Sequence, residues 1–156
     1  MFLKIAIGSD HHGIAIRVKI AEMLYREGHE VFEHGPALNS REATDYPDVA
    51  AEVAELVSCG NVDRGILICG TGIGMCITAN KFAGVRSAPI IDELQAELSR
   101  RHNDLNVLCL SGEMLSEDMI FRIIDIWIGT PFDGGRHEKR IEKIGKIERD
   151  LGINGD

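Results

Sequence analysis

Residues 65–75 read Gly-Ile-Leu-Ile-Cys-Gly-Thr-Gly-Ile-Gly-Met. Gly65 to Cys69 is a short apolar run, of the kind that forms a strand buried on both faces. Three alternating glycines follow, at Gly70, Gly72 and Gly74, and helical spacing then runs from about Gly74 to Phe82. A buried strand that turns through glycines into a helix is one βα unit of a parallel sheet. The turn is also an anion site, because its backbone N–H groups face inward and the first N–H groups of a helix have no intrahelical partner.

The same alternation continues on both sides of this unit. Before it, Leu3 to Ile7 is strand-like, and Ile14 to Arg26 has helical spacing through Ile16, Ile20, Met23 and Leu24, stopped by Gly28. Val31 and Phe32 give a second strand, ended by Gly35-Pro36. Residues 37–46 are polar and loop-like, and Pro47 to Cys59 reads as a helix capped near Asp45 or Tyr46. After the central unit come a strand over Val85 to Ile91, a helix over Asp92 to Arg101, and a strand over Asn106 to Leu110. A helix over Ser116 to Ile128, a loop over Thr130 to Gly135 and a last helix over about 136–151 complete the chain. The stripe Ile141, Ile144, Ile147 and Leu151 is expected to dock that helix. The pattern predicts an α/β fold: one Rossmann-like, three-layer domain over 1–156, with a five-stranded parallel sheet and helices on both faces. Ligands of such sheets bind beyond the carboxyl ends of the strands.

Composition narrows the function. The net charge is −8 and only 5% of residues are aromatic, which disfavours nucleic acid and anionic membrane as partners. No run reaches the roughly 18 apolar residues of a membrane helix, and no secretion signal is evident. The cysteines are Cys59, Cys69, Cys76 and Cys109, with no Cys-x-x-Cys unit, so a metal is not expected and a reducing, cytoplasmic setting is.

The residues after the strands carry the chemistry. Cys69 ends the central strand and faces the glycine loop; a cysteine beside free amides is suited to act as a thiolate base or nucleophile, or else it is a small apolar filler. The loop fails the dinucleotide fingerprint by one position, since Met75 stands where the third glycine belongs, although Asp92 lies about 20 residues on. Gly8 to Gly13 has the glycine spacing of a triphosphate loop, but Ile14 replaces its lysine. Asp10 with His11 and His12 can orient an imidazole or grip a phosphate, or Asp10 can cap the next helix. His102 stands in an expected loop, as an acid–base group or simply solvated. Arg136 and Arg140, four apart beside His137, can clamp a dianionic phosphate. The competing reading is a solvated face, since Glu138, Lys139, Glu142 and Lys143 surround them.

Taken in order, these segments resemble the type B ribose-5-phosphate isomerases and the related galactose-6-phosphate isomerase subunits. The resemblance rests on IAIGSDHHG at 5–13, DYPD at 45–48, GILICGTGIGM at 65–75 and ITANKFAGVR at 77–86. SRRHNDLNVLCL at 99–110 and GGRHEKRIEKI at 134–144 complete it. It implies a cofactor-free and metal-free aldose–ketose isomerase of a small phosphorylated sugar. The reaction implied is that of ribose 5-phosphate and ribulose 5-phosphate in pentose phosphate metabolism. Allose 6-phosphate, galactose 6-phosphate and tetrose phosphates are the alternatives, with a nucleotide-binding Rossmann protein behind them. It implies a homodimer, or a dimer of dimers, with shared active sites. By resemblance, Cys69 is the base, and Thr71 with the amides of Gly70, Gly72 and Gly74 holds the enediolate oxygen. His102, from the partner chain, opens the sugar ring, and Asp10 stands near the ring oxygen. Tyr46 and Asn103 line the sugar. His11, Arg136 and Arg140 grip the phosphate, with His137 nearby. Two positions depart from the family pattern: His12 replaces a smaller or apolar residue, and Glu113 stands where many members carry arginine.

Overall fold

The structure is a computed structural model that describes residues 1–41 and 43–152. Five strands form it: β1 (Lys4–Ser9), β2 (Glu30–His34), β3 (Arg64–Cys69), β4 (Ser87–Pro89) and β5 (Val107–Ser111). They make one sheet in the order β2-β1-β3-β5-β4, every pair parallel. Six helices connect and flank them: α1 (Ile14–Arg26), α2 (Tyr46–Ser58), α3 (Ile73–Ala79), α4 (Glu93–Asn103), α5 (Glu117–Gly129) and α6 (Arg136–Asp150).

The two-residue period of the strands divides the core. Ile5, Ile7, Ile66, Ile68, Leu108 and Leu110 face one way and pack with Ile20 and Leu24 of α1 and Ile123 and Trp127 of α5. Ala6, Leu67, Cys69, Val107 and Cys109 face the other way, against Val49 and Val53 of α2 and Met75 and Cys76 of α3. α2 approaches closely because Gly8 and Gly65 leave its valines room: a Cβ at Gly8 would stand 2.7 Å from Val49. This is the three-layer arrangement that the sequence predicts.

Four local expectations shift. β4 spans only Ser87–Pro89, because it lies at the sheet edge and Pro89 has no N–H for a ladder. α3 ends at Ala79, short of Phe82. α4 runs through Asn103, so His102 sits in a helix turn rather than a loop. The stripe on α6 docks only in part: Ile141 is half-buried and Glu148 accepts the Gly84 N–H, but Ile144, Ile147 and Leu151 are 45%, 59% and 70% exposed, and His137 is the residue of α6 that is buried. Among the described residues, no helix is long and apolar enough to cross a membrane.

Candidate active site

β1 and β3 are neighbours, yet the chain leaves β1 for α1 on one face and β3 for α3 on the other. The crevice that opens between such strand ends is where doubly wound sheets bind ligands. Ser9-Asp10-His11-His12 and Cys69-Gly70-Thr71 rise on its two sides.

Cys69 is the last residue of β3 and is 4% exposed. The Gly72 N–H donates to its sulfur at 3.1 Å, which turns the loop back over the thiol. Gly72 has φ +78, and a Cβ there would also press on the Leu110 backbone, so the turn requires glycine. Gly74 is required for another reason: the Tyr46 ring lies where its Cβ would be, 2.5 Å away. Tyr46, the first residue of α2, thereby flanks the loop, and the exposed Thr71 hydroxyl accepts from the Ile73 N–H at 3.3 Å.

Asp10 is buried and accepts the His12 N–H at 2.9 Å. It therefore closes a turn and does not cap α1, whose N-cap is Gly13. His11 accepts the Thr44 N–H at 3.4 Å and packs against His12, ring centroids 4.2 Å apart. His12 pairs with Glu113 at 2.7 Å. β1 and β5 flank β3, so this pair arches over Gly70, where a Cβ would stand 3.2 Å from the Glu113 carboxylate. Both partners are about half exposed, so Glu113→Gln should lower stability by less than about 1 kcal/mol, read from the denaturation midpoint. A larger loss would mean the carboxylate holds the strand ends together.

A second group of candidates lies elsewhere. In a βαβ unit the helix runs back against the strands, so the last turn of α4 sits at their amino ends. Hydrogen bonds fix it there: Arg86 Nε donates to the Asn103 carbonyl at 3.0 Å, Arg86 N–H to Asn106 Oδ1 at 2.7 Å, and Gly65 N–H to the Asn106 carbonyl at 2.9 Å. His102 stacks on His137 at 4.3 Å, which brings the start of α6 to the same edge, and Arg101 pairs with Asp133 at 3.2 Å. Arg136 and Arg140 are exposed beside them. Burial, then the charges of His102, Arg136 and Arg140, hold His137 below the ordinary histidine range. From this edge to Cys69 is the length of β3, about 16 Å.

Two clusters bring three possible ligand atoms within 4.8 Å of one another: Asp10, His11 and His12, and His102, Asp133 and His137. The second is ringed by Arg101, Arg136 and Arg140, which suits an anion rather than a cation.

The Ribose/Galactose Isomerase family model matches residues 5–144 of this chain. The chain belongs to this family. It is similar to ribose-5-phosphate isomerase B of Escherichia coli, at 45% identity over 146 residues, which cover 94% of this chain and 97% of that one. It is also similar to D-erythrulose-4-phosphate isomerase of Pectobacterium atrosepticum, at 38% identity over 148 residues, 94% of this chain and 95% of that one. A crystal structure of ribose-5-phosphate isomerase B from Mycoplasma genitalium, with bound ribulose 5-phosphate, superposes with a TM-score of 0.90 at 42% identity, covering 96% of this chain and 97% of that one. The protein is an aldose–ketose isomerase of the type B kind.

In this isomerase one chain gathers Asp10, His11, Tyr46, Cys69, Gly70, Thr71, Gly72 and Gly74 at the carboxyl ends of the strands. It holds His102, Asn103, Arg136, His137 and Arg140 at the amino ends. Sequence reasoning missed the partnership of His12 with Glu113 and the place of Asp133 beside the two histidines. The Gly-Gly pair that opens α6 marks the second, since it bends the chain back on α4.

Proposed function

We propose that the protein interconverts ribose 5-phosphate and ribulose 5-phosphate in the cytoplasm, as a step of pentose phosphate metabolism, with Cys69 as the proton-transfer base. The observation that carries this is the Cys69 sulfur at the end of β3 under the glycine loop, with the Gly72 amide 3.1 Å away. The thiolate removes the proton from C2 of the open aldose and leaves an enediolate, and the resulting thiol, whose proton exchanges with solvent, delivers a proton to C1. The hydroxyl proton passes from O2 to O1, so the reaction is neutral in atoms and electrons. Thr71 and the amides of Gly70, Gly72 and Gly74 stabilise the oxygen that becomes negative. Asp10 stands at the ring oxygen, and Tyr46 lines the sugar.

The working site takes two chains. Ring opening by His102, sugar contact by Asn103 and phosphate capture by Arg136 and Arg140 cannot be supplied by the chain that provides Cys69, about 16 Å away. A second copy brings them, and His11 adds to the phosphate grip. Apolar surface supports the pairing: Ile73 and Ile77 on α3 are 54% and 58% exposed beside the loop, and Ile144, Ile147 and Leu151 are exposed on α6. The phosphate then binds remotely and orients the reacting carbons.

A second reading, a phosphorylated sugar of another length, is favoured by Glu113. Its carboxylate over Gly70 repels a phosphate on that wall, and His12 offsets the charge when protonated. Turnover by the purified homodimer of phosphorylated aldoses with four, five and six carbons tests the assignment. Ribose 5-phosphate should have the highest kcat/KM, and a higher value for a tetrose or hexose phosphate would replace it. Arg136→Ala or Arg140→Ala should lower kcat/KM for the phosphorylated sugar roughly 30- to 1,000-fold, mostly through KM. Unphosphorylated ribose should be nearly indifferent; equal losses on both would assign the arginines to the fold.

A further inference from the structure

The turn that follows β5 grips the backbone of the glycine loop by its carbonyls. The strand register sets Ser111, the last residue of β5, beside Cys69. The Gly112 N–H donates to the Cys69 carbonyl at 2.8 Å. The Gly70 carbonyl accepts two bonds, one from the Ser111 hydroxyl and a longer one, 3.4 Å, from the Glu113 N–H. Ser111 is buried, and its Oγ accepts the Met114 N–H at 2.9 Å, which leaves its own proton for Gly70. A trans peptide points its N–H away from its carbonyl, and both of these peptides are trans. The two carbonyls are turned toward β5, so the N–H groups of Gly70 and Thr71 point to the opposite side, that of β1 and the crevice. The Gly72 N–H is engaged by the Cys69 sulfur, whereas those of Gly70 and Thr71 have no hydrogen-bond partner among the described residues.

We propose that Ser111 is a positioning residue of the isomerase: its hydroxyl fixes the Gly70–Thr71 peptide so that the Thr71 N–H meets the oxygen that becomes negative in the enediolate. The proposal rests on the assignment of Cys69 and the glycine loop to the reaction. Thr71 lies between Gly70 and Gly72, and a peptide flanked by glycines rotates at little cost, so its direction needs an outside tie. The Glu113 N–H, at 3.4 Å, is too long a bond to supply that tie alone. A serine that served only its own turn would need the Met114 bond and nothing more; the second bond of Ser111 crosses to the loop after β3. The effect falls on the intermediate. The open sugar presents a neutral oxygen to the loop and the enediolate a charged one, and a donor already aimed at that oxygen needs no reorganisation when the charge appears. Loss of the hydroxyl frees the peptide to turn, which weakens the hold on the enediolate more than the hold on the substrate.

The test compares Ser111→Ala with the wild-type protein. For ribose 5-phosphate, kcat should fall roughly 10- to 100-fold while KM stays within about threefold. The probe for the intermediate is the hydroxamate of a phosphorylated four-carbon sugar acid, which is planar where the enediolate is planar. Its Kd should rise by about the factor by which kcat/KM falls, while the Kd of inorganic phosphate stays within about twofold. Turnover of Ser111→Ala within about threefold of wild type would overturn the proposal. So would a loss of turnover with hydroxamate affinity unchanged, or equal losses of affinity for hydroxamate and phosphate. A residue that only braced the turn would lower the thermal midpoint without separating those two affinities. The reading of the reaction is tested apart from this one. It fails if Cys69→Ala keeps turning over, or if the wild-type protein binds the hydroxamate no better than ribose 5-phosphate, and neither outcome depends on Ser111.

Discussion

Cys69→Ala lowers turnover of ribose 5-phosphate by about 10³-fold or more, while the fold and the affinity for substrate stay close to wild type. The sulfur ends a strand that is buried along its whole length, and alanine fits the space it leaves. The loss of stability is therefore modest, on the order of 1 kcal/mol. Binding is retained because the proposed phosphate grip and the Asp10–His11 side of the crevice are untouched. Cys69→Ser is almost as impaired: its hydroxyl can accept the Gly72 amide but does not ionise near neutral pH. Steady-state kinetics, a competitive-inhibitor Kd and a thermal midpoint separate these quantities. A variant that turns over within about tenfold of wild type would remove Cys69 from the reaction.

Mixing two inactive variants restores activity. Cys69→Ala chains keep His102, and His102→Ala chains keep Cys69. Each mixed dimer then holds one site with both residues and one with neither. At equal amounts and free exchange, about a quarter of wild-type activity should appear, because half the dimers are mixed and each has one working site of two. The expectation rests on geometry within the chain: Cys69 and His102 lie at opposite ends of the parallel strands. No recovery, with exchange proven by mass spectrometry of tagged chains, would place both residues in one subunit's site.

The layers and the glycine loop were legible because they depend on local pattern. Gly65 to Cys69 reads as a buried strand from its own residues, and Ile14 to Arg26 announces its bounds by periodicity and Gly28. The end of α4 did not, because its stop is Asp104 in the left-handed conformation, φ +45, where glycine is the usual signal. With the helix carried through His102 and Asn103, its direction alone sends both to the amino edge of the sheet. The stripe on α6 was legible as a face that needs covering, but an amphipathic pattern does not say which chain covers it. The His12–Glu113 pair had no local signal, since strand order alone brings residues after β1 and β5 together across β3.

Deuterium incorporation from heavy water, followed by proton NMR of ribose 5-phosphate with EDTA present, tests the central claim most directly. The wild-type protein should form ribulose 5-phosphate carrying solvent deuterium at C1, and the remaining ribose 5-phosphate should acquire it at C2. Under the same conditions Cys69→Ala should leave the C2 proton in place over many wild-type turnover times. Exchange by Cys69→Ala at a rate near that of wild type would contradict the assignment of Cys69 as the group that moves the proton.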